Sequence, residues 1–248
     1  MSLTDLKLDK TMMEIAVENV QSLSEDEYTL IRRQGIGASD MAALLGVSVY
    51  KNDTDLIAEK RSKLITPEER EVGRKDVVRK GRDLEPLILQ KASVFLDGQQ
   101  PLKPAHMYRS IEAPYITTNF DGVVELDGYY IPIEAKYVSP YGDKYYNREH
   151  AIYREIYPDK RTTATTPITY ETGNLVDKIK ARAERVGIPP YYYVQVQTQM
   201  YMLKSPYGYL TALHDKGWEC CIYFVRRDEE VIQACKVHSA HAWENIIA

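Results

Sequence analysis

The stretch FDGVVELDGYYIPIEAK, from Phe120 to Lys136, constrains the fold more tightly than any other part of the chain. Asp127-Gly128 sits between two runs rich in β-branched and aromatic residues, the strongest short-range signal for a two-residue hairpin turn. That turn sets a register in which Leu126 faces Tyr129, Val124 faces Ile131 and Asp121 faces Glu134. Lys136, two residues beyond Glu134, projects from the same face. The opposite face carries Phe120, Val124, Leu126, Ile131, Ile133 and Ala135 and reads as a core face. Asp121 and Glu134 then form a non-hydrogen-bonded pair with Cα atoms about 4.5 Å apart. Pro132 falls at another such site, opposite Val123, where its missing N–H is not needed within the hairpin.

Like charges directly across a strand pair destabilise it. A divalent cation would turn the repulsion into coordination, since carboxylate oxygens suit Mg²⁺ or Mn²⁺. A lysine beside such a site can hold an attacking water while the ion stabilises charge on a phosphate. An exposed acidic hairpin is the alternative.

The rest of the chain excludes several other chemistries. Its three cysteines include no CxxC pair, and its five histidines no HExxH motif, so a zinc or iron–sulfur centre is not expected. No apolar run approaches a membrane span, and the acidic residues near the start do not suit a secretory signal. A cytoplasmic protein is expected. The net charge of −4 does not advertise a nucleic-acid binder. Local charge differs: REVGRKDVVRKGR (70–82) and KIKARAERVG (from Lys178) are basic, with solvated helix faces as the alternative.

Along the chain, Ser24 and Glu27 form a capping box that opens a helix through Arg32 or Arg33. A short helix MAALLG stops at Gly46, and Thr54 caps TDLIAEKRSKL. A further helix starts at Asp83, has an early Pro86 and ends at Gly98. Glu85 would then be an ordinary first-turn acid favoured by the helix dipole. Strands follow from Met107 through the hairpin. TTATTPITYETGN reads as a mobile loop, residues near 175–186 as a helix, and PPYYYVQVQTQMYML as a helix after Pro190. Tyr207–Leu213 and Cys220–Arg226 form a strand pair, and a helix begins at Glu229. The order is α+β or mixed α/β, built on one central sheet.

Asp121 with Glu134-Ala135-Lys136 resembles the signature of PD-(D/E)xK nucleases. RRQGIGASDMAALLGVSVY, GRDLEP, NFDGVVE, IPIEAKYVS and YYVQVQTQMYM, in that order from about Arg32 to Met202, resemble the YqaJ-like viral recombinase and lambda exonuclease family. The resemblance implies one nuclease domain over 1–248, with a restriction-endonuclease-like core whose central mixed sheet is flanked by helices. The segment between Lys136 and Gln195 is longer than in compact members and tyrosine-rich, which implies an insertion at about 141–190. The tryptophan often found before Arg32 is missing.

Residue by residue, the resemblance implies that Asp121, Glu134, Glu85 and the Ala135 carbonyl hold catalytic Mg²⁺, two ions in all, with Mn²⁺ able to substitute. Lys136 activates the water. Gln197 lines the site, with Gln195 as the alternative. Arg32 and Ser39 hold the 5′-phosphate of a DNA end, with Arg33 as the alternative to Arg32. On physical grounds GIGASD offers close backbone approach, the Ser39 hydroxyl and amides at a helix start, although it lacks the lysine of a Walker motif.

The implied activity is 5′→3′ exonuclease digestion of one strand of double-stranded DNA to mononucleotides, leaving 3′ overhangs. The implied setting is a phage or prophage gene in a bacterial host, a ring-shaped homotrimer and a single-strand annealing partner. A repair or restriction endonuclease, and a non-catalytic DNA-binding module on the same fold, are the rival readings.

Overall fold

Asp127 and Gly128 both have positive φ, 52° and 78°, as a two-residue turn matched to strand twist requires. The computed structural model describes residues 12–156 and 173–248; the stretch read as a mobile loop lies almost wholly outside them. The chain runs β1 (Met13–Val17), α1 (Glu25–Arg32), β2 (Ile36–Gly37), α2 (Met41–Leu44), α3 (Asp53–Arg61), α4 (Pro67–Arg74) and α5 (Asp76–Phe95). β3 (Met107–Ser110), β4 (Ile116–Thr118), β5 (Gly122–Leu126), β6 (Tyr129–Val138) and β7 (Tyr153–Arg154) follow. Then come α6 (Leu175–Val186), α7 (Pro190–Leu203), β8 (Tyr207–His214), β9 (Glu219–Arg226) and α8 (Glu229–Ile247).

Five strands form a mixed sheet in the order β5-β6-β8-β9-β7, with β6 and β8 parallel and the other neighbours antiparallel. The hairpin register is the expected one: Leu126 pairs with Tyr129, Val124 with Ile131 and Val123 with Pro132. Val123 turns its N–H and C=O outward to Leu102, both bonds 2.8 Å, so its pair with Pro132 is the non-hydrogen-bonded kind.

Helices cover both faces. Ile88, Leu89 and Ala92 of α5, with Leu96 just past its end, pack on Val124, Ile131, Ile133 and Ala135. On the other side Val194, Val196 and Met200 of α7 join Val123, Val138, Leu210 and Ala212 in the larger core. Phe120 belongs to that second core, not to the α5 face expected for it. The chain bends before β5, and its ring packs 5.7 Å from Tyr108.

Three further expectations change. A second, four-stranded sheet, β1-β3-β4-β2, stands beside the first, so the strands from Met107 do not all join one central sheet. α3 is capped by Asn52, whose side chain accepts from Asp55 N–H at 2.8 Å, and not by Thr54. α5 starts at Asp76, so Pro86 lies inside it. Asp83 and Pro86 imitate a start signal, but the packed stripe from Ile88 to Leu96 carries a helix long enough to absorb the lost backbone bond.

Candidate active site

β5 begins at Gly122, one residue after Asp121, and that boundary builds the site. Ala135 N–H points to the β5 edge, but the β5 ladder stops at the Gly122–Ile133 pair and does not reach it. Asp121 Oδ2 takes the place of the ladder partner, accepting that N–H at 3.0 Å. A residue's N–H and C=O leave a strand on the same edge, so the Ala135 carbonyl opens beside the Asp121 carboxylate. Gly122 completes the corner. A Cβ there would stand 2.7 Å from Leu89 Cδ2 and 3.1 Å from Pro101 Cβ, so a larger residue would force Leu89 of α5 to shift. Glu85, one turn before Leu89 on the same helix face, is thereby brought toward Asp121.

Glu134 is 1% exposed and densely held. Gln195 and Gln199 donate to its two oxygens, each at 2.6 Å, and Lys136 forms an ion pair with it. Burial, and then the charge of Asp121, push its carboxyl up to about 7. Burial would lower Lys136, but Glu134 and Asp121 outweigh it and hold the ammonium charged. Its Nζ stands 5.0 Å from the Tyr192 ring centre. Burial and Asp121 also raise the Glu85 carboxyl, against an ion pair with Lys103.

Asp121, Glu134, Lys136, Tyr192 and Gln195 line one end of a cavity of about 290 Å³. Arg32 and Ser39 line the same cavity, with Arg32 Nη2 donating to Ser39 Oγ at 3.1 Å. Behind Ser39 lies Asp40, buried, with Lys60 at 2.7 Å, Lys51 at 3.4 Å and Arg32 at 3.8 Å. Burial alone would raise the Asp40 carboxyl. Lys60, Arg32 and Lys51 together hold it well below the usual carboxylate range.

The structure therefore brings Glu85, Asp121, Glu134, Lys136, Arg32 and Ser39 together, and turns two candidates elsewhere. Gln197 faces away: its Nε2 donates to Arg226 O at 2.7 Å and its Oε1 accepts Asp228 N–H at 2.9 Å. Gln195, two residues back, takes its place. Arg33 is buried, donating to the Ser62 and Leu64 carbonyls and paired with Glu69. The helix-start amides expected in GIGASD are also altered. α2 has only four residues, and Gly37 N–H is already taken by Asp40 Oδ2 at 2.9 Å. Tyr192, Gln199, Lys103 and Asp40 were not expected. The i, i+4 spacing of Gln195 and Gln199 was the available signal for one of them.

The donor set fits a hard divalent cation: two carboxylates, a strand-edge carbonyl and Glu85 nearby, oxygen throughout. A buried carboxylate raised by a neighbouring carboxylate is the electrostatic deficit a cation would relieve. Among the described residues no group of three acidic, histidine or cysteine side chains is placed to hold a metal ion; two carboxylates and a carbonyl would suffice for Mg²⁺, which keeps several waters.

The family model for the YqaJ-like viral recombinase domain matches residues 27–205, a span holding every residue of this cavity. Two solved structures share the fold. LHK-Exo in complex with dAMP matches with a TM-score of 0.54 at 14% identity, covering 89% of this chain and 92% of that one. The alkaline exonuclease LHK-Exo from Laribacter hongkongensis matches with a TM-score of 0.52 at 16% identity and the same coverage. No curated protein matches in sequence. The shared fold is a mixed α/β one, a mixed five-stranded sheet flanked by helices.

Proposed function

The chain belongs to the YqaJ-like viral recombinase family, and on that premise we propose that it is a metal-dependent 5′→3′ exonuclease, digesting one strand of duplex DNA from its end. One observation carries the reading: Asp121, Glu134 and Lys136 share a cavity with the Arg32–Ser39 pair. The first three suit phosphodiester hydrolysis, and the pair offers a charged and a neutral donor to a terminal phosphate. That LHK-Exo binds dAMP, a mononucleotide, supports the same assignment.

Asp121, Glu134 and the Ala135 carbonyl would hold the divalent ion, with Glu85 as the further acid for a second. Mg²⁺, or Mn²⁺ in its place, would supply charge stabilisation to the phosphate as it is displaced. Lys136 orients the attacking water in line with the scissile bond. Gln195 and Gln199 fix both oxygens of Glu134, so the carboxylate cannot rotate out of register. Water adds to phosphorus, the bond to the terminal nucleotide's own 3′-oxygen breaks and that oxygen takes up a proton, so a mononucleotide leaves and the shortened strand keeps a new 5′-phosphate. The family reading adds a single-strand annealing protein as partner and a ring-shaped homotrimer, which sedimentation analysis tests.

The experiment is digestion of linear 5′-phosphorylated duplex with Mg²⁺, beside a closed circle and a Lys136→Ala variant. Release of mononucleotides from the linear DNA alone, abolished in the variant, is the expected result. Cleavage of the circle by the unaltered protein would replace the exonuclease with an endonuclease. Identical digestion by Lys136→Ala would remove the site.

A further inference from the structure

A second groove is built by the segment after β6. Its 3₁₀ turns, Asp143–Tyr145 and Arg148–His150, dock on the turn between α6 and α7, where Asn147 N–H donates to Gly187 O at 2.9 Å. The groove between them encloses about 370 Å³ and is lined by Lys144, Tyr145, Tyr146, Lys180, Glu184 and Ile188, among others.

Its wall is fixed from behind. His214 Nδ1 lies 2.8 Å from Asp143, and Arg148 bridges Asp143 at 2.5 Å and Glu219 at 2.9 Å. Arg154 pairs with the same Glu219 at 2.6 Å. Lys144, Tyr145 and Lys180 nevertheless remain exposed, and Lys144 Nζ sits 4.9 Å from the Tyr145 ring centre.

Tyrosines connect this groove to the catalytic cavity. Tyr146 lines the groove and lies 6.5 Å from Tyr192, which lines the cavity. Tyr191 packs 4.5 Å from Tyr192 and carries Tyr50 at 5.4 Å, 73% exposed. Aromatic rings therefore run without a break from Lys136 to the second groove.

We propose that this groove binds single-stranded DNA, with the exposed Tyr145 stacking on unpaired bases and Lys144 and Lys180 meeting the phosphates. Every base has a π-face, so a tyrosine platform flanked by cations tracks a strand whatever its sequence. The inference rests on the nuclease reading: a strand separated at the catalytic cavity is the source of the unpaired bases.

The test is anisotropy of dye-labelled oligothymidylate titrated with the whole chain in EDTA, which removes hydrolysis from the readout. Tyr145→Ala weakens binding about tenfold and Tyr145→Phe restores it, as a stacking contact requires. Lys144→Gln with Lys180→Gln flattens the dependence of log affinity on log salt by about 1.4. Tyr129→Ala serves as control, because Tyr129 at the hairpin turn is 49% exposed and Tyr145 51%; it leaves affinity unchanged. Unchanged affinity in the Tyr145 and lysine variants overturns the proposal, as does equal loss in Tyr145→Phe. If elution volume shifts instead while single-strand affinity holds, the groove is a contact between copies. Failure here with Lys136-dependent digestion intact rejects the groove alone. Single-strand binding without digestion rejects the nuclease reading alone.

Discussion

Gln195 and Gln197 are two residues apart and, at about 100° per residue, on nearly opposite sides of α7. Gln195 and Gln199 share the side facing Glu134. Gln195→Ala and Gln199→Ala should each lower turnover by 10- to 100-fold, the usual range for partners that orient a ligating carboxylate. Gln197→Ala should instead destabilise the fold by about 1–3 kcal/mol, because it leaves the Asp228 N–H and Arg226 carbonyl unpaired, with turnover retained. Steady-state rates and urea unfolding separate the two outcomes. The hairpin acids and Lys136 were legible in the sequence because a strand's period of two and the Asp127-Gly128 turn fix their face. The glutamine was not, because the rotation of α7 about its axis is decided by what it packs on. Asp40 adds a pH dependence. A carboxyl held below its ordinary value of 3.8 stabilises the fold above that value and loses this contribution as pH falls through its folded value. Asp40→Asn should therefore cost about 3–5 kcal/mol near neutrality, where the buried Lys60 ammonium loses its carboxylate. It should also flatten the loss of stability on acidification below pH ~4, as followed by urea midpoints across pH.

Among the elements, α5 shows most plainly how a local signal misleads. Asp83 and Pro86 look like a helix start, which would explain Glu85 as a dipole-favoured acid. With the start at Asp76, Glu85 lies mid-helix, where the dipole offers it little, and its place beside Asp121 is the remaining physical account. Strands were legible from composition, but their sheet was not: β3 and β4 pair with β1 and β2, and no local pattern names a partner so distant in sequence. The turn after α6 tests how the tyrosine-rich segment is held. Gly187 has φ of +86°, and a Cβ there would come within 2.6 Å of Asn147 O. Gly187→Ala should cost about 2 kcal/mol from the left-handed conformation and the displaced backbone. Hydrogen exchange should show the loss concentrated at residues 143–154, with β5 and β6 protected as before.

At the scale of the whole molecule, the five-stranded sheet divides the core, and three thiols report on both halves. Cys220 packs on the α5 side, while Cys221 and Cys235 lie in the core on the α7 side. Burial pushes the Cys220 and Cys235 thiols up to about 12 and Cys221 at least as far. At pH 8 a thiol near 12 is ionised in only about one part in ten thousand, and the thiolate is the reactive form. Labelling by a thiol reagent must therefore wait for the sheet to open. Adjacent residues on a strand point to opposite faces, so Cys220 and Cys221 are exposed by losing different helices. If α5 and α7 leave the sheet together, all three thiols should be modified with one rate constant, equal to the unfolding rate at each denaturant concentration. Mass spectrometry of the partly labelled protein should then find unmodified and triply modified chains with little between. A singly labelled species carrying the reagent on Cys220 would mean that α5 detaches alone. Glu85 rides on that helix, so such detachment would carry an acid of the candidate site away from Asp121 while the rest of the fold stood.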